Sequence, residues 1–286
     1  MNNINKYLFK KDKTNKEFKK CYVSLENTNI KIMHLIFTRF MIIFYSLNGF
    51  PNKMYNKDYI PNGIRVMKKY LIPSLMNQSC NNFIWVLLIG NKANKTYIES
   101  LLNFNNSLNF QYKVIYQEDI KYYVRNITKG FDILITTRID YDDSIYYDAV
   151  NDIRKEINMK KPMLLHGYNR GVYFFEINGK YYDYFHSYKN QGVMSVFCSL
   201  ITILKEVNDF YTILDFGDHR YIKKKLLKEF KSFGIKRLNY DPGIFDSGDP
   251  KFIYVRQKYS GSYNQTNLIP KHLKEKNFNL SRFFGK

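Results

Sequence analysis

Three aspartates follow an apolar run within four positions: Asp140, Asp142 and Asp143 in the stretch ITTRIDYDDS. Carboxylates this close repel one another, so a partner must offset the cost. In an extended chain Asp140 and Asp142 point to the same side, where a divalent cation could bind both. Mn²⁺ and Mg²⁺ prefer oxygen ligands and commonly also bind substrate phosphates. The spacing predicts a cation site, with a plain turn in which Asp143 or Ser144 caps the next helix as an equal alternative.

A basic side chain adjoins this cluster, since Arg138 precedes Asp140 by two positions. Its guanidinium could bind a diphosphate through two parallel hydrogen bonds, or it could form a salt bridge with the aspartates. The apolar run that carries Arg138 predicts a strand that ends near Ile139. The cluster then lies at the carboxyl edge of a parallel strand, which is where open α/β sheets bind ligands.

The segments that must position these residues alternate between strands and helices. Four apolar runs predict buried strands, and helical spacings lie between them, which is typical of a mostly parallel sheet covered on both faces. Pro73 falls inside the first helical pattern and predicts a kink or a break near Ile72. The four runs are KIMHLIFTRF, FIWVLLIG, YKVIYQ and FDILITTRID.

The pattern changes after the helix that follows the aspartates. Asn178 and Gly179 predict a β-hairpin in GVYFFEINGKYYDY. Further along, VMSVFCSLITILKEV predicts a helix, YTILDFG a strand and HRYIKKKLLKEFKSFG a basic amphipathic helix. We therefore expect a basic extension over residues 1–30, one domain over residues 31–240 and an irregular basic tail over residues 241–286.

Composition narrows the class of protein. With 45% hydrophobic and 17% aromatic residues, the chain can bury a sizeable core. The net charge is +20 and is densest near the ends, which suits solvated tails or peripheral contact with an anionic membrane or nucleic acid. Three cysteines without a CxxC pair argue against a disulfide framework and favour a reducing, cytoplasmic location. We expect a soluble protein without signal peptide or transmembrane segment.

Several segments resemble those of one family in the same order. ITTRIDYDD resembles the TTRLDxDD segment of the rhamnosyltransferase family, a group of glycosyltransferases with a GT-A-type fold. HLIFTRF resembles the first strand of that family, and YLIPSLMNQSCNNFIWVLLIG resembles its first helix and second strand. VFCSLI and FGDHRYIK resemble two later segments, so the resemblance covers roughly residues 31–235.

The fold that this resemblance implies is α/β and GT-A-like. It has a mostly parallel, Rossmann-like sheet flanked by helices, followed by a β-hairpin and a helical portion on the acceptor side. The implied reaction moves a sugar, rhamnose by the family name, from a nucleotide-sugar donor to a glycan or another hydroxyl acceptor. The implied cofactor is Mn²⁺ or Mg²⁺.

The resemblance also implies roles for individual residues. Asp140 and Asp142 resemble the DxD pair of GT-A enzymes, in which the first carboxylate meets the donor sugar or the metal through water, and the last binds the metal. His219 resembles a downstream histidine that completes the metal shell. Thr38 and Arg39 would line the nucleotide pocket, with Arg138 beside it.

The resemblance leaves two roles less well defined, namely contact with the nucleotide base and removal of the acceptor proton. Many GT-A enzymes contact the base with an acidic residue after the second strand. Here Gly90 and Asn91 stand at that place, so Asn91 or a backbone group would replace it. Inversion at the anomeric carbon would need a carboxylate to take the acceptor proton, for which Asp218 and Asp183 are the candidates.

Two other classes of function fit parts of the sequence. A nucleic-acid-binding protein or metal-dependent nuclease would suit the positive charge and the carboxylates, but no nucleic-acid module is recognisable and the basic excess lies mostly at the ends. A non-catalytic GT-A-like domain would keep the fold and show no metal-dependent transfer. Glycosyl transfer without a nucleic-acid partner is the main prediction.

Overall fold

The computed structural model describes residues 6–8, 21–23, 30–42, 58–104, 107–160, 163–168, 170–175, 179–185, 197–207, 211–216, 243–245, 252–256, 275 and 281–284. Within these ranges the strands, in chain order, are β1 (Lys6–Leu8), β2 (Cys21–Val23), β3 (Ile32–Phe40), β4 (Ile84–Ile89), β5 (Gln111–Tyr116), β6 (Ile133–Asp140), β7 (Ser144–Ile145), β8 (Met163–Tyr168), β9 (Arg170–Phe175), β10 (Lys180–Phe185), β11 (Cys198–Ile203), β12 (Gly243–Phe245) and β13 (Phe252–Arg256). The described α-helices are α1 (Tyr59–Val66), α2 (Ile72–Met76), α3 (Lys95–Leu102), α4 (Ile120–Ile127), α5 (Ala149–Lys155) and α6 (Ser281–Phe284). A π-helical segment, Met67–Leu71, joins α1 to α2, and 3₁₀ turns cover Gln117–Asp119, Leu204–Glu206 and Ile213–Phe216.

Seven of the described strands form the main sheet, in the spatial order β12–β8–β11–β6–β3–β4–β5. Strands β6, β3, β4 and β5 run parallel to one another, and β12 runs parallel to β8. Only β11 among them runs against its neighbours, since it is antiparallel to both β6 and β8. The predicted α/β class, with a mostly parallel sheet flanked by helices, is confirmed.

Apolar side chains cover both faces of this sheet, as its nearly continuous apolar strands require. One face packs against α1, the π-helical segment, α2, α3 and α5, and the other packs against α4 and the 3₁₀ turn at Ile213–Phe216. Buried residues of the first layer include Ile36, Trp85, Leu87, Met67 and Leu75. Those of the second include Leu35, Phe37, Val86, Leu88 and Val124.

Three consecutive helical segments, α1, the π-helical segment and α2, form one helix before β4. This helix is distorted but does not break near Pro73, where the sequence predicted a kink or a break. Proline has no N–H to donate, so an ordinary helical hydrogen-bond ladder is interrupted at Pro73. Just before it the ladder widens, and the Ile72 N–H donates to the carbonyl of Met67, five residues back. The distortion near Ile72 is therefore a π-helical turn, which keeps α1 and α2 continuous.

Four other described strands form a second sheet, in the order β10–β9–β13–β7. The predicted hairpin is confirmed, because β9 pairs antiparallel with β10. Gly179 has a φ of 66°, the left-handed conformation that such a tight turn requires. Strand β7 follows the aspartates directly, so this sheet begins where the aspartate cluster ends.

Two secondary-structure predictions after the hairpin are wrong. The segment predicted as a helix in VMSVFCSLITILKEV contains β11, which pairs on both sides and is fully internal to the main sheet. Short apolar runs do not distinguish a buried strand from a helix by period alone, and Ile201, Thr202 and Ile203 are β-branched. The predicted strand in YTILDFG is a 3₁₀ turn at Ile213–Phe216. The predicted basic helix HRYIKKKLLKEFKSFG lies outside the described residues.

The segment 241–286 contributes regular structure for which the sequence predicted none. Strand β12 joins the edge of the main sheet, and β13 lies between β9 and β7. Phe283 on α6 is fully buried in the first apolar layer. The domain boundaries at residues 30 and 240 stay predictions, but this segment adds two strands and core contacts.

Two further observations bear on the predicted cellular location. In the described part of the chain, no helix is long and apolar enough to cross a membrane. Cys80 is disulfide-bonded, whereas Cys198 is free and buried. The sequence argued against a disulfide framework, and the disulfide at Cys80 runs against that expectation, because spacing along the chain does not decide which cysteines meet in the fold. The cytoplasmic location stays a prediction.

Candidate functional site

The predicted site lies where β3 and β6 end side by side. These strands are adjacent and parallel, and their register places Arg39 opposite Asp140. Both residues are the polar ends of otherwise buried strands, and both are partly exposed. Because the sheet is parallel here, the two opposite charges reach the same carboxyl edge.

Arg138 forms an ion pair with Asp140 at this edge. Its Nη2 atom lies 3.3 Å from Asp140 Oδ1, and the side chains are 4% and 28% exposed respectively. The two residues are two positions apart on one strand and so point to the same side. The salt bridge, one of the two roles predicted for Arg138, is therefore present. It offsets part of the repulsion among the aspartates and orients Asp140.

The pKa of the Cys198 thiol is influenced by the charges of Arg138, Arg39 and Asp140, which therefore lie near one another. It pairs with Arg138 across β6 and β11. Burial raises the pKa of its thiol to about 12, with the positive charges of Arg138 and Arg39 lowering it and the negative charge of Asp140 raising it. All three charged groups thus act on one buried sulfur. The thiol itself stays protonated near neutral pH and is not a nucleophile.

Asp142 and Asp143 lie in the turn that leaves the edge. The Asp143 N–H donates to the Asp140 carbonyl at 3.2 Å, which closes the turn. Asp142 is 7% exposed and Asp143 only 1%. A turn is therefore present, and it holds two largely buried carboxylates. The predicted cap by Asp143 or Ser144 is wrong, because Ser144 begins β7 and the next helix, α5, starts only at Ala149 after Asp148. A turn and a cation site are compatible, because the closing hydrogen bond uses backbone atoms alone.

Two tyrosines, Tyr141 and Tyr59, lie close enough to Asp142 for its charge to act on them. Burial, followed by the charge of Asp142, holds the pKa of Tyr141 well above its usual range. The pKa of Tyr59 is also raised, first by burial and in smaller part by Asp142, while its hydrogen bond with Tyr141 opposes the rise. The Tyr141 ring packs edge-on against Phe40 at 5.3 Å between ring centres. Asp142 is therefore largely buried beside two tyrosines whose pKa values it helps to raise.

The donor chemistry of the turn fits a hard divalent cation, since Asp140 and Asp142 offer carboxylate oxygens. Among the residues that the structure describes, no three His, Cys, Asp or Glu side chains come together in a way that could hold a metal. His219, the predicted third ligand, lies outside the described residues, as does the predicted base Asp218. Asp183 lies on β10 opposite Val172, and its side chain is not among those described.

Thr38, which the sequence predicts beside the nucleotide, lies inside the sheet near the end of β3. It is fully buried, and its hydroxyl accepts a hydrogen bond from the Trp85 indole N–H at 3.0 Å. Side chains alternate along β3, so Thr38 faces the same apolar layer as Ile36, while Arg39 faces the other way. Thr38 therefore fixes the packing of Trp85.

Asn91 is exposed just beyond β4, near a residue that the sequence analysis did not single out. Its Nδ2 donates to Glu118 Oε2 at 3.2 Å. Glu118 follows the end of β5, so the rule that identified the aspartates, a polar residue after a parallel strand, would also have identified it. Gly90 precedes Asn91 where β3 and β4 crowd together, and a Cβ there would lie 2.6 Å from the Met41 carbonyl oxygen. Glycine is required by this close approach.

Directly after the aspartates, where the sequence predicted the start of a helix, the chain forms β7, and α5 begins only at Ala149. Ser144 and Ile145 are fully buried. They bond to the helix before β4 through Ser74 and the Tyr70 carbonyl. A signal for these contacts was present in the sequence, because Tyr70, Ser74 and Gln78 recur at a four-residue spacing.

Comparison with known proteins gives one family match. A family model described as putative rhamnosyl transferase matches residues 38–228 of the 286, more than half of the chain. The matched region includes the end of β3, the aspartate turn and the hairpin. No curated protein matches the chain.

Solved structures resemble the chain at low identity. One is a putative glucose-1-phosphate thymidylyltransferase from Bacillus anthracis (12% identity, 69% of this chain and 83% of that one, TM-score 0.37). Another is a putative nucleotide-diphospho-sugar transferase from Desulfovibrio desulfuricans G20 (10% identity, 71% and 76%, TM-score 0.33). A third is mouse xyloside xylosyltransferase 1 (11% identity, 79% and 86%, TM-score 0.33). The family match, rather than these structures, bears on what the chain is.

Proposed function

Since the chain belongs to the putative rhamnosyl transferase family and is thereby a glycosyltransferase, we propose that it uses a nucleotide-sugar donor with a divalent cation. Rhamnose is the sugar that the family description favours, and a glycan or another hydroxyl compound is the acceptor. The observation that carries the proposal is the grouping of Arg39, Arg138, Asp140 and Asp142 at one carboxyl edge.

The two arginines supply positive charge for the donor diphosphate. Arg39 and Arg138 lie on the neighbouring strands β3 and β6, and both act electrostatically on Cys198 of the next strand, β11. Guanidinium groups bind phosphate oxygens through paired hydrogen bonds. Arg138 is nearly buried, so its charge acts in a medium of low dielectric, where it stabilises a developing anion more strongly than it would in water.

The aspartates would hold the cation. Asp140 and Asp142 are its proposed ligands, with His219 as a third. When bound, Mn²⁺ or Mg²⁺ supplies charge neutralisation for the diphosphate as it leaves. The ion pair with Arg138 holds Asp140 in a defined orientation beforehand, so less reorganisation is needed when the donor binds.

The transfer step breaks the bond between the anomeric carbon and the diphosphate oxygen and forms one to the acceptor oxygen. The bonding electrons leave with the nucleoside diphosphate. The acceptor hydroxyl loses its proton to a carboxylate, for which Asp218 and Asp183 stay the candidates. We propose inversion, since a base on the acceptor side then completes the reaction in one displacement.

Thermal unfolding with nucleotides tests the proposal. UDP, GDP, dTDP and CDP are each added with and without Mn²⁺, and one of them should raise the melting temperature only when Mn²⁺ is present. A ligand at a hundred times its Kd adds about 2.7 kcal/mol of stability. Failure of every nucleotide to produce a metal-dependent shift would sink the proposal.

Two matched variants assign the effect to the turn. Asp142→Asn should abolish the Mn²⁺-dependent part of the shift. Asp152→Asn is the control, because Asp152 is buried to a similar degree, 8% exposed against 7%, and pairs with Lys155 on α5. A full shift retained by Asp142→Asn would remove this residue from the metal site.

A further inference from the structure

The helix before β4 is bonded to the chain that leaves the aspartate turn. The Ser144 hydroxyl donates to the Tyr70 carbonyl at 2.9 Å. One residue further, the Ile145 N–H donates to the Ser74 hydroxyl at 3.3 Å. Ser74, Ser144 and Ile145 are all fully buried. The first two residues after Asp143 are thus fixed to one helix face.

Gln78 continues the same row of contacts four residues after Ser74. Its side-chain amide donates to the Tyr146 carbonyl at 2.8 Å and to the Ser74 carbonyl at 3.0 Å. Its Oε1 accepts the Val150 N–H at 3.1 Å. Gln78 is fully buried, and its bonds to Ser74 and Val150 are made away from water. One side chain therefore fixes both ends of the stretch from Tyr146 to Val150.

These anchors bear on the aspartates because the turn is short. On one side Asp140 is the last residue of β6, in the middle of the main sheet. On the other side the chain is held from Ser144 onward by the contacts just described. Asp142 and Asp143 lie between two fixed points, so their carboxylates are placed by both. Loosening the second point would change the separation of Asp140 and Asp142.

We propose that Ser74 and Gln78 are positioning residues that hold the aspartate turn in the geometry that binds the cation and the donor diphosphate. The inference rests on the proposed function, since it assigns these residues to the same site. Neither side chain touches the cation or substrate. Their effect passes through the backbone of Ser144 to Val150. Loss of side chains that orient metal ligands typically weakens metal affinity about 10-fold to 100-fold.

The test compares two buried carboxamides that lie three positions apart. Gln78→Met keeps the length of the side chain and removes its hydrogen bonds to the segment after the turn. Asn81→Leu is the control, because Asn81 is also buried but donates to the Asn109 carbonyl at 2.8 Å, before β5. Both variants should lose stability, so stability alone does not separate the roles.

The affinity for Mn²⁺ distinguishes a positioning role from a purely structural one. The free-ion electron paramagnetic resonance signal is titrated with full-length protein, in the presence of whichever of the four nucleoside diphosphates stabilises the wild type with Mn²⁺. Gln78→Met should weaken Mn²⁺ binding about 10-fold, and Asn81→Leu should leave it within about twofold of wild type. Ser74→Ala should weaken it in the same way, and Ser74→Thr, which keeps the hydroxyl, should restore it.

Each outcome has a distinct meaning. If Gln78→Met and Ser74→Ala bind Mn²⁺ as tightly as the wild type, the positioning role is refuted while the proposed function stands. If the wild type itself shows no nucleotide-dependent Mn²⁺ binding, the proposed function fails and the positioning role with it. Should Gln78→Met fail to fold, the Ser74→Ala and Ser74→Thr pair decides the question alone.

Discussion

Acidification is expected to destabilise the fold through His34, which lies on β3 and is 1% exposed. Its Nε2 lies 2.8 Å from the Thr137 hydroxyl, which lies 2.7 Å from the Ser199 hydroxyl, so hydrogen bonds connect three adjacent strands. Burial, and then the positive charge of Arg154, hold the pKa of His34 well below its usual 6.5. The imidazole is therefore neutral in the folded protein near pH 7.

The direction of the effect follows from proton linkage. Below about pH 6.5 the unfolded chain binds a proton at His34 that the folded protein does not. Stability is therefore complete above that pH and is lost as the pH falls toward the folded-state pKa. Each pH unit costs at most about 1.4 kcal/mol, so the loss reaches up to about 2 kcal/mol at pH 5. Domains are typically stable by about 5–15 kcal/mol, so such a loss is measurable.

Urea unfolding followed by tryptophan fluorescence measures this loss. Trp85 is the single tryptophan and is fully buried, so its emission reports unfolding of the main sheet. Wild type and His34→Gln are compared at pH 7.5 and pH 5. The variant lacks the imidazole, so its free energy of unfolding should change less between the two pH values. Equal losses in both proteins would refute the assignment to His34, since all other titrating groups are shared.

Three further predictions concern residues around the site. Gly90→Ala should lower the free energy of unfolding by about 1–3 kcal/mol, because the added methyl group meets a backbone carbonyl; unchanged urea unfolding would contradict the close approach. Thr38→Val should cost about 1–3 kcal/mol by leaving the buried Trp85 N–H without its acceptor, and should shift the emission of that indole; an unaltered spectrum would count against the hydrogen bond. Phe283→Ala should cost about 3–5 kcal/mol, and the partly exposed neighbour Phe284→Ala clearly less; equal effects on the unfolding midpoint would show that α6 is not anchored as described.

The strands that carry the site were predictable because they are apolar, long and separated by helical spacings. The end of β6 fixed the place of the aspartates, and parallel pairing then brought Arg39 beside Asp140. Strand β11 was not predictable by the same rule. Its six residues are as apolar as a helix core, and only its pairing with β6 and β8 makes it a strand.

Within the site, the sequence predicted which residue types are present better than it predicted which partner or sheet face each side chain meets. Arg138 was expected to bind a diphosphate or an aspartate, and the structure shows the second contact. Thr38 was placed in a pocket, although alternation along β3 puts it on the face opposite to Arg39. Gln78 was given no role, because its partners are backbone atoms of a distant segment and its four-residue spacing from Ser74 does not identify them.

The pairing of β7 with β13 has a consequence for how the molecule folds. Ser144 and Ile145, directly after the aspartates, complete their ladder with Ile253 and Phe252 from far along the chain. Bringing such remote segments together costs chain entropy, which delays ladders of this kind relative to local ones. We expect the aspartate turn to reach its native structure late in folding, after β3 and β4 have paired. Pulsed hydrogen exchange during refolding should then protect the Ile253 amide after that of Trp85, and the reverse order would contradict this sequence of events.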